Sequence, residues 1–337
     1  MKFRLWVAAS AVALSACGGG GGHGYSGLPI TPPTGSTPTT PADPVAVTPT
    51  TPTTPTTPTT PAINTVIYES LTWPDTTDER LAQLNAQGAR GYRELLGQGL
   101  YIKDAEATYV YETLPKAHGI GDFQEQLNTQ GARGYEWLAD YQYDYDVAYY
   151  RKTTGSASTF TYKLVEPPLT PNSSQPSVSG MVEQANALGA DGYYGVQFSR
   201  ASGSLSVYRK DSLSTATYGY EFNSGLGNAL KQFNDYGARG YRFRGVWGLE
   251  LGSFHNGLIF VRDLSQSATF SFTALPDPPV SGTFLDQANA EGAKGNVYFF
   301  RSPRTLPSAQ NPTPESFNYY MTPAACTGFT CTSHSAY

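Results

Sequence analysis

Between residues 63 and 323 the apolar positions keep changing their spacing. Short stretches alternate every second residue: Tyr109 and Tyr111; Phe160, Tyr162 and Leu164; Tyr218, Tyr220 and Phe222; Phe270 and Phe272. Aromatic side chains at period two predict half-buried strands. Each stretch is followed by apolar residues three or four apart: Ile120, Phe123 and Leu127; Val178, Met181 and Ala185; Leu226, Leu230 and Phe233; Phe284 and Ala288. An earlier copy has Ile67 and Tyr68, then Leu81 and Leu84. Such stripes predict helices with one buried face. Thr76-Thr77-Asp78-Glu79 marks the start of the first helix as a capping box. Two more strands follow each helix, for example Tyr193–Ser199 with Leu205–Arg209, and Tyr241–Trp247 with Leu258–Arg262. The last copy closes with Phe317, Tyr319 and Met321 after a Pro-rich insertion. The expected class is α+β: five tandem β-α-β-β units, antiparallel sheet with helices packed on it, at 63–104, 105–154, 155–212, 213–264 and 265–323. Units of this size bury little alone, so neighbours are expected to share sheet edges or pack their helices together.

Where helix meets strand, one phrase recurs: LNAQGARGY from Leu84, LNTQGARGY from Leu127, ANALGADGY from Ala185, FNDYGARGY from Phe233 and ANAEGAKGN from Ala288. The first Gly of each, Gly88, Gly131, Gly189, Gly237 and Gly292, is expected just past the helix end, where the chain turns left-handed. The second Gly, Gly91 in copy one, lets the chain turn tightly into the next strand. Asn85, Asn128, Asn186, Asn234 and Asn289 are expected to bond backbone groups that the corner leaves unpaired. Each position thus has a folding task, and none is assigned a catalytic one.

The phrase is similar to the signature of a small uncharacterised bacterial domain family, Leu-Asn-x-x-Gly-x-x-Gly-Trp-Glu on a strand–helix–strand–strand unit. The likeness covers each repeat, most of Asn64 to about Met321. Tyr stands at the Trp position in 92, 135, 193 and 241, Asn296 in the last copy, and only Glu136 supplies the acid. The resemblance implies a fold and brings no activity, cofactor or catalytic residue.

The first residues change the picture of location. MKFR, a short apolar run and small residues before a cut site read as a secretory signal over residues 1–16. The run is too short for a final membrane span. Leu14-Ser15-Ala16-Cys17 resembles the lipobox of bacterial lipoproteins, which implies cleavage before Cys17, thioether lipidation of its sulfur and acylation (palmitate among the chains) of the new amino terminus. Several acyl chains at one residue supply stable attachment. Gly18 rather than Asp follows, which in Gram-negative lipoproteins favours the outer membrane. Residues 17–62 continue with a Gly run and a Pro/Thr tract that repeats every third residue. Pro excludes helix and ladder there, so a disordered tether is expected, reaching on the order of 100 Å if extended. The same composition also suits a linker of no particular length.

Composition adds few sites. The chain has a net charge of −5 and 15% charged residues, which gives no electrostatic footprint for nucleic acid. His23, His118, His255 and His334 stand far apart, so no metal site and no cofactor are expected. Asp140, Asp144 and Asp146 lie in an acidic, Tyr-rich stretch that reads as a sugar or cation site, or as a solvated hairpin turn. Arg90, Arg133, Arg239 and Lys294 follow the Gly-Ala pairs and could form a ladder for an anionic polymer, although Asp191 breaks it. Helix C-termini favour cations in any case. Cys326 and Cys331, in the tail 324–337, are expected to form a disulfide in an oxidising compartment. Two functional classes follow. One is a non-catalytic envelope lipoprotein, partnered by the membrane and by an envelope polymer or protein. The other is an extracytoplasmic enzyme acting on cell-wall or surface glycans. Five near-equal units suit multivalent contact better than one asymmetric catalytic constellation.

Overall fold

The computed structural model describes residues 65–95, 99–138, 146–172, 176–198, 205–224, 229–247, 257–278, 281–301 and 316–332. The leader, Cys17 and the tether lie outside them, as do Asp140 and Asp144. The described residues fall in one compact unit.

The first repeat runs β1 (Ile67–Ser70), α1 (Thr77–Ala89), β2 (Arg93–Leu95) and β3 (Leu100–Lys103); the second β4 (Tyr109–Pro115), α2 (Ile120–Ala132), β5 (Glu136–Leu138) and β6 (Val147–Thr153). The third comprises β7 (Phe160–Val165), α3 (Val178–Ala190), β8 (Tyr194–Gln197) and β9 (Ser206–Asp211); the fourth β10 (Tyr218–Ser224), α4 (Ala229–Ala238), β11 (Arg242–Trp247) and β12 (Gly257–Asp263). The fifth is β13 (Thr269–Pro276), α5 (Ser281–Gly292), β14 (Val297–Arg301) and β15 (Phe317–Ala324). Each repeat makes its own three-stranded antiparallel sheet, with its last strand in the middle, as in β1-β3-β2. The α+β class and the repeat are therefore as the spacing predicts. At the start of α1 the Thr76 hydroxyl accepts from the Glu79 N–H and donates to its carboxylate.

Each helix touches its own repeat's sheet but packs more extensively on the first strand of the next repeat. α1 packs on β4, α2 on β7, α3 on β10, α4 on β13, and α5 returns to β1. The order of contacts is cyclic, and the fifth repeat joins the first. The apolar clusters follow the same rule. Leu84 and Tyr101 pack with Tyr109 and Tyr111 of the next repeat, and Phe233 and Phe260 pack with Phe270 and Phe272. Ala288, Val297 and Tyr320 pack with Val66, Tyr68 and Ile102. Every core belongs to two repeats, which answers why one unit alone is too small to be stable.

The recurring phrase makes these joints, and here the structure corrects the expectation. Gly88 and its counterparts are not past the helix end: α1 continues to Ala89. The left-handed residue is the second Gly, with φ of 87° at Gly91 and 84° at Gly134. Around it the Tyr92 N–H reaches the Gln87 carbonyl at 3.0 Å and the Gly91 N–H the Gly88 carbonyl at 3.0 Å, a Schellman closure one turn later than expected. The first Gly has another reason to exist. A Cβ there would lie 2.4 Å from the Tyr109 oxygen at Gly88, and 2.1 Å from the Phe160, Tyr218, Phe270 and Val66 oxygens at the other four. Only a residue without a side chain lets the helix touch the neighbour's strand.

The Asn residues are also corrected. They bond the next repeat, and Asn85, Asn186 and Asn234 also donate to the Leu81, Val182 and Leu230 carbonyls of their own helices. Asn85 Oδ1 accepts from the Tyr111 N–H at 2.8 Å and its Nδ2 donates to the Tyr111 carbonyl at 3.1 Å. Asn128 does the same to Tyr162, Asn186 to Tyr220, Asn234 to Phe272 and Asn289 to Tyr68. Each amide thus satisfies both backbone groups on the outer side of an edge strand, which would otherwise be unpaired. In three joints the bonded Tyr adds a hydroxyl contact: Tyr162, Tyr220 and Tyr68 accept at 2.7 Å from the N–H of Trp137, Gly195 and Tyr298.

Candidate functional site

The basic residues behind the corners are neutralised locally. Arg90 pairs with Glu69, Arg133 with Glu112 and Arg239 with Glu221, each Glu one residue beyond the strand position the preceding repeat's Asn holds. Each Arg also lies over a Tyr, at 5.0 Å for Tyr92 and Tyr135 and 5.1 Å for Tyr241. The third repeat inverts the charges: Asp191 replaces the Arg, and Lys163 replaces the Glu and lies 4.4 Å over Tyr193. Lys294, just past α5, pairs with Glu291 of that helix. These positions clamp the corner and do not form a free cationic ladder. Asp146, the described member of the acidic stretch, is exposed, and its carbonyl accepts from the Lys116 N–H.

A different set of residues gathers at the interior. Glu136, at the start of β5, faces Arg151 of β6 across the register. Arg151 grips one carboxylate oxygen with Nε at 2.8 Å and an Nη at 2.5 Å, and Arg209, from β9 of the next repeat, takes the other. The three side chains are only 11–14% exposed. Burial alone pushes the Glu136 carboxyl up, but the two guanidiniums outweigh it and hold it at about 2. Arg93 makes a two-pronged pair with Asp104 in the first repeat, also buried. Arg242, at the start of β11, is buried and donates to the carbonyls of Thr330 and Thr332 at 2.8 and 3.0 Å. Burial pulls its guanidinium below the ordinary range, and Tyr194, Arg244, Arg93 and Asp104 also act on it.

The chain beyond β15 completes this centre. Cys326 and Cys331 are bonded, with Cα atoms 5.7 Å apart, and close a short 3-10 turn at Phe329–Cys331. Phe329 packs edge-on against Tyr194 at 4.7 Å and Tyr218 at 6.0 Å. Beside it lies a pocket of about 160 Å³, lined by Glu136, Arg151, Arg209, Asp211 and aromatic rings that include Phe329. Opening the disulfide with Cys326→Ser and Cys331→Ser together should lower stability by roughly 2 kcal/mol, the loop-closure value for so short a loop. Chemical denaturation of the two proteins checks this. Equal stability would show that the turn is held by Arg242 and Phe329 alone.

The sequence marks the corner residues as structural without showing that they join repeats, and leaves the pocket unmarked, apart from Glu136 as the sole acid after the phrase. One signal could have found it. Tyr-Arg-Lys occurs at Tyr150–Lys152 and again at Tyr208–Lys210, on the middle strand of two consecutive repeats. The lysines cap the corner by donating to the Arg133 and Asp191 carbonyls at 2.7 and 2.8 Å, while the arginines turn inward. Among the described residues no three His, Cys, Asp or Glu side chains gather as a metal site, and no helix is long and apolar enough to cross a membrane.

Comparison with known proteins finds no match: no family model, no curated protein and no solved structure is significantly similar to the chain.

Proposed function

We propose that the protein is a lipid-anchored bacterial envelope protein that carries a non-catalytic, ligand-binding array of five repeats on a tether. One observation carries the non-catalytic part: Glu136, the pocket carboxylate that faces Arg151 and Arg209, is bonded through both oxygens to their guanidiniums. A general acid needs a proton to give near the working pH, and a carboxyl held at about 2 has none. Fixed charges of this kind suit recognition. The repeated residues Asn85, Gly88 and their counterparts are all engaged in joints, which leaves them to structure rather than chemistry.

The anchor rests on the leader and Leu14–Cys17. Metabolic labelling with a fatty-acid probe should mark the wild-type chain and leave Cys17→Ser unmarked, and membrane fractions should retain only the former. Equal labelling of the two would refute the anchor. On intact cells, crosslinking should then capture an envelope polymer or protein on the wild type.

A further inference from the structure

We infer that the pocket between the second and third repeats binds a small organic carboxylate whose body is about the size of a single ring. The inference rests on the ligand-binding reading above but not on the anchor. Donors left over at the guanidiniums point first to an anion. The pocket is lined by two guanidiniums, Arg151 and Arg209, and two carboxylates, Glu136 and Asp211, and Glu136 is the one bonded to both guanidiniums. Guanidinium N–H groups taken out of water are costly unless something accepts from them. Two guanidiniums offer about ten N–H donors, and one carboxylate has about four acceptor sites. Arg151 and Arg209 therefore have more donors than Glu136 can absorb. Asp211 also lines the pocket, but its oxygens accept from the Ser158 hydroxyl and the Leu213 N–H. The carboxylate acting most strongly on both guanidiniums is Glu136.

The walls select the body of the ligand. Arg209 lies 4.9 Å over Phe160 and 5.6 Å over Phe329, so its guanidinium is fixed by flat apolar faces. Tyr194 and Tyr218 stand beside them. A cavity of roughly 150 Å³ admits one benzene, and this one measures about 160 Å³. A guanidinium held in plane presents two parallel donors to a carboxylate, and aromatic walls take a ring.

The test titrates the full-length chain in detergent, by calorimetry, with two pairs of probes: benzoate against benzamide, and galacturonate against galactose. At least one carboxylate should bind ten-fold or more tighter than its neutral partner. That comparison needs no variant, so it survives any folding defect. Arg209→Gln, if it melts cooperatively, should weaken the same carboxylate at least ten-fold. Binding of a neutral partner as tight as its acid would overturn the charge argument, and so would undiminished affinity in folded Arg209→Gln. Absence of binding by both acids would overturn the site. None of these outcomes touches the fatty-acid labelling, so failure of the pocket and failure of the anchor are separable.

Discussion

Replacing Gly292 by alanine should open the joint between the fifth and first repeats, lowering stability by about 4–6 kcal/mol. The added Cβ would lie 2.1 Å from the Val66 oxygen and 2.9 Å from its carbonyl carbon. Both are backbone atoms of a strand, so no side chain can swing aside. α5 and β1 must separate, and the three hydrogen bonds between these segments go: Val66 N–H to the Gly292 carbonyl at 2.9 Å, and the two between Asn289 and Tyr68; the Tyr298 N–H bond to the Tyr68 hydroxyl spans the same joint. Overpacking a tight contact costs about 1–3 kcal/mol and each lost hydrogen bond about 1. This joint differs from the other four in one respect. Its partners are 221 residues apart in the chain, so nothing but the contact itself holds them together. Strain here is relieved by opening, which also returns the entropy of closing a long loop. Amide hydrogen exchange should therefore rise first in β1 and α5, with α2, α3 and α4 still protected, and the melting temperature should fall by several degrees. Gly121→Ala is the matched control. It lies in α2 with nothing within 4 Å of an added Cβ, and alanine favours a helix over glycine by up to about 1 kcal/mol. A Gly292→Ala protein as stable as the Gly121→Ala protein would mean that the circle of contacts is not closed in solution.

The sequence shows the parts of this circle more clearly than their joining. Tyr109 with Tyr111, or Tyr218 with Tyr220, can only be read as strand, because alternation is a property of the local backbone. The helix stripes at Phe123 and Leu127 are equally local. The phrase at each corner is legible as structural, yet the left-handed turn expected at its first Gly falls at the second, which the sequence marks only as a tight turn into the strand. A left-handed turn and a contact with no room for Cβ both demand glycine, and the sequence shows the demand without its cause. Asn289 was legible as a backbone-binding amide, but its partner Tyr68 lies at the other end of the array. The choice of partner depends on how repeats pack, and one repeat's spacing carries no record of that. The pocket was the least legible part. Arg151 and Arg209 each sit between a buried Tyr and a corner-capping Lys. Whether such an Arg points to solvent or to the interior depends on which face of the sheet the circle encloses.

Acid should dissolve the charge cluster before it unfolds the rest, and Glu136→Gln identifies the step. Burial opposes ionisation of Glu136, and Arg151 and Arg209 more than compensate, so its carboxyl falls from an ordinary 4.5 to about 2. A group whose pKa is lower folded than unfolded stabilises the fold wherever it is ionised in both states. That contribution is whole above pH 4.5 and fades as the pH falls towards 2. A shift of this size corresponds to roughly 3 kcal/mol, since each unit is about 1.4. Substitution by Gln keeps the shape and removes the charge, leaving two buried guanidiniums without their shared partner, at a cost of about 3–5 kcal/mol near neutrality. At low pH the wild-type side chain is protonated and resembles that of the variant. The difference in unfolding free energy between the two proteins should therefore shrink from about 3 kcal/mol at neutral pH to near zero around pH 2. The surface pairs of Glu69 and Glu112 are common to both proteins and drop out of the difference. Urea denaturation at a series of pH values measures it directly. A difference that stays constant with pH would show that Glu136 acts through its shape, and that the arginines find their compensation elsewhere.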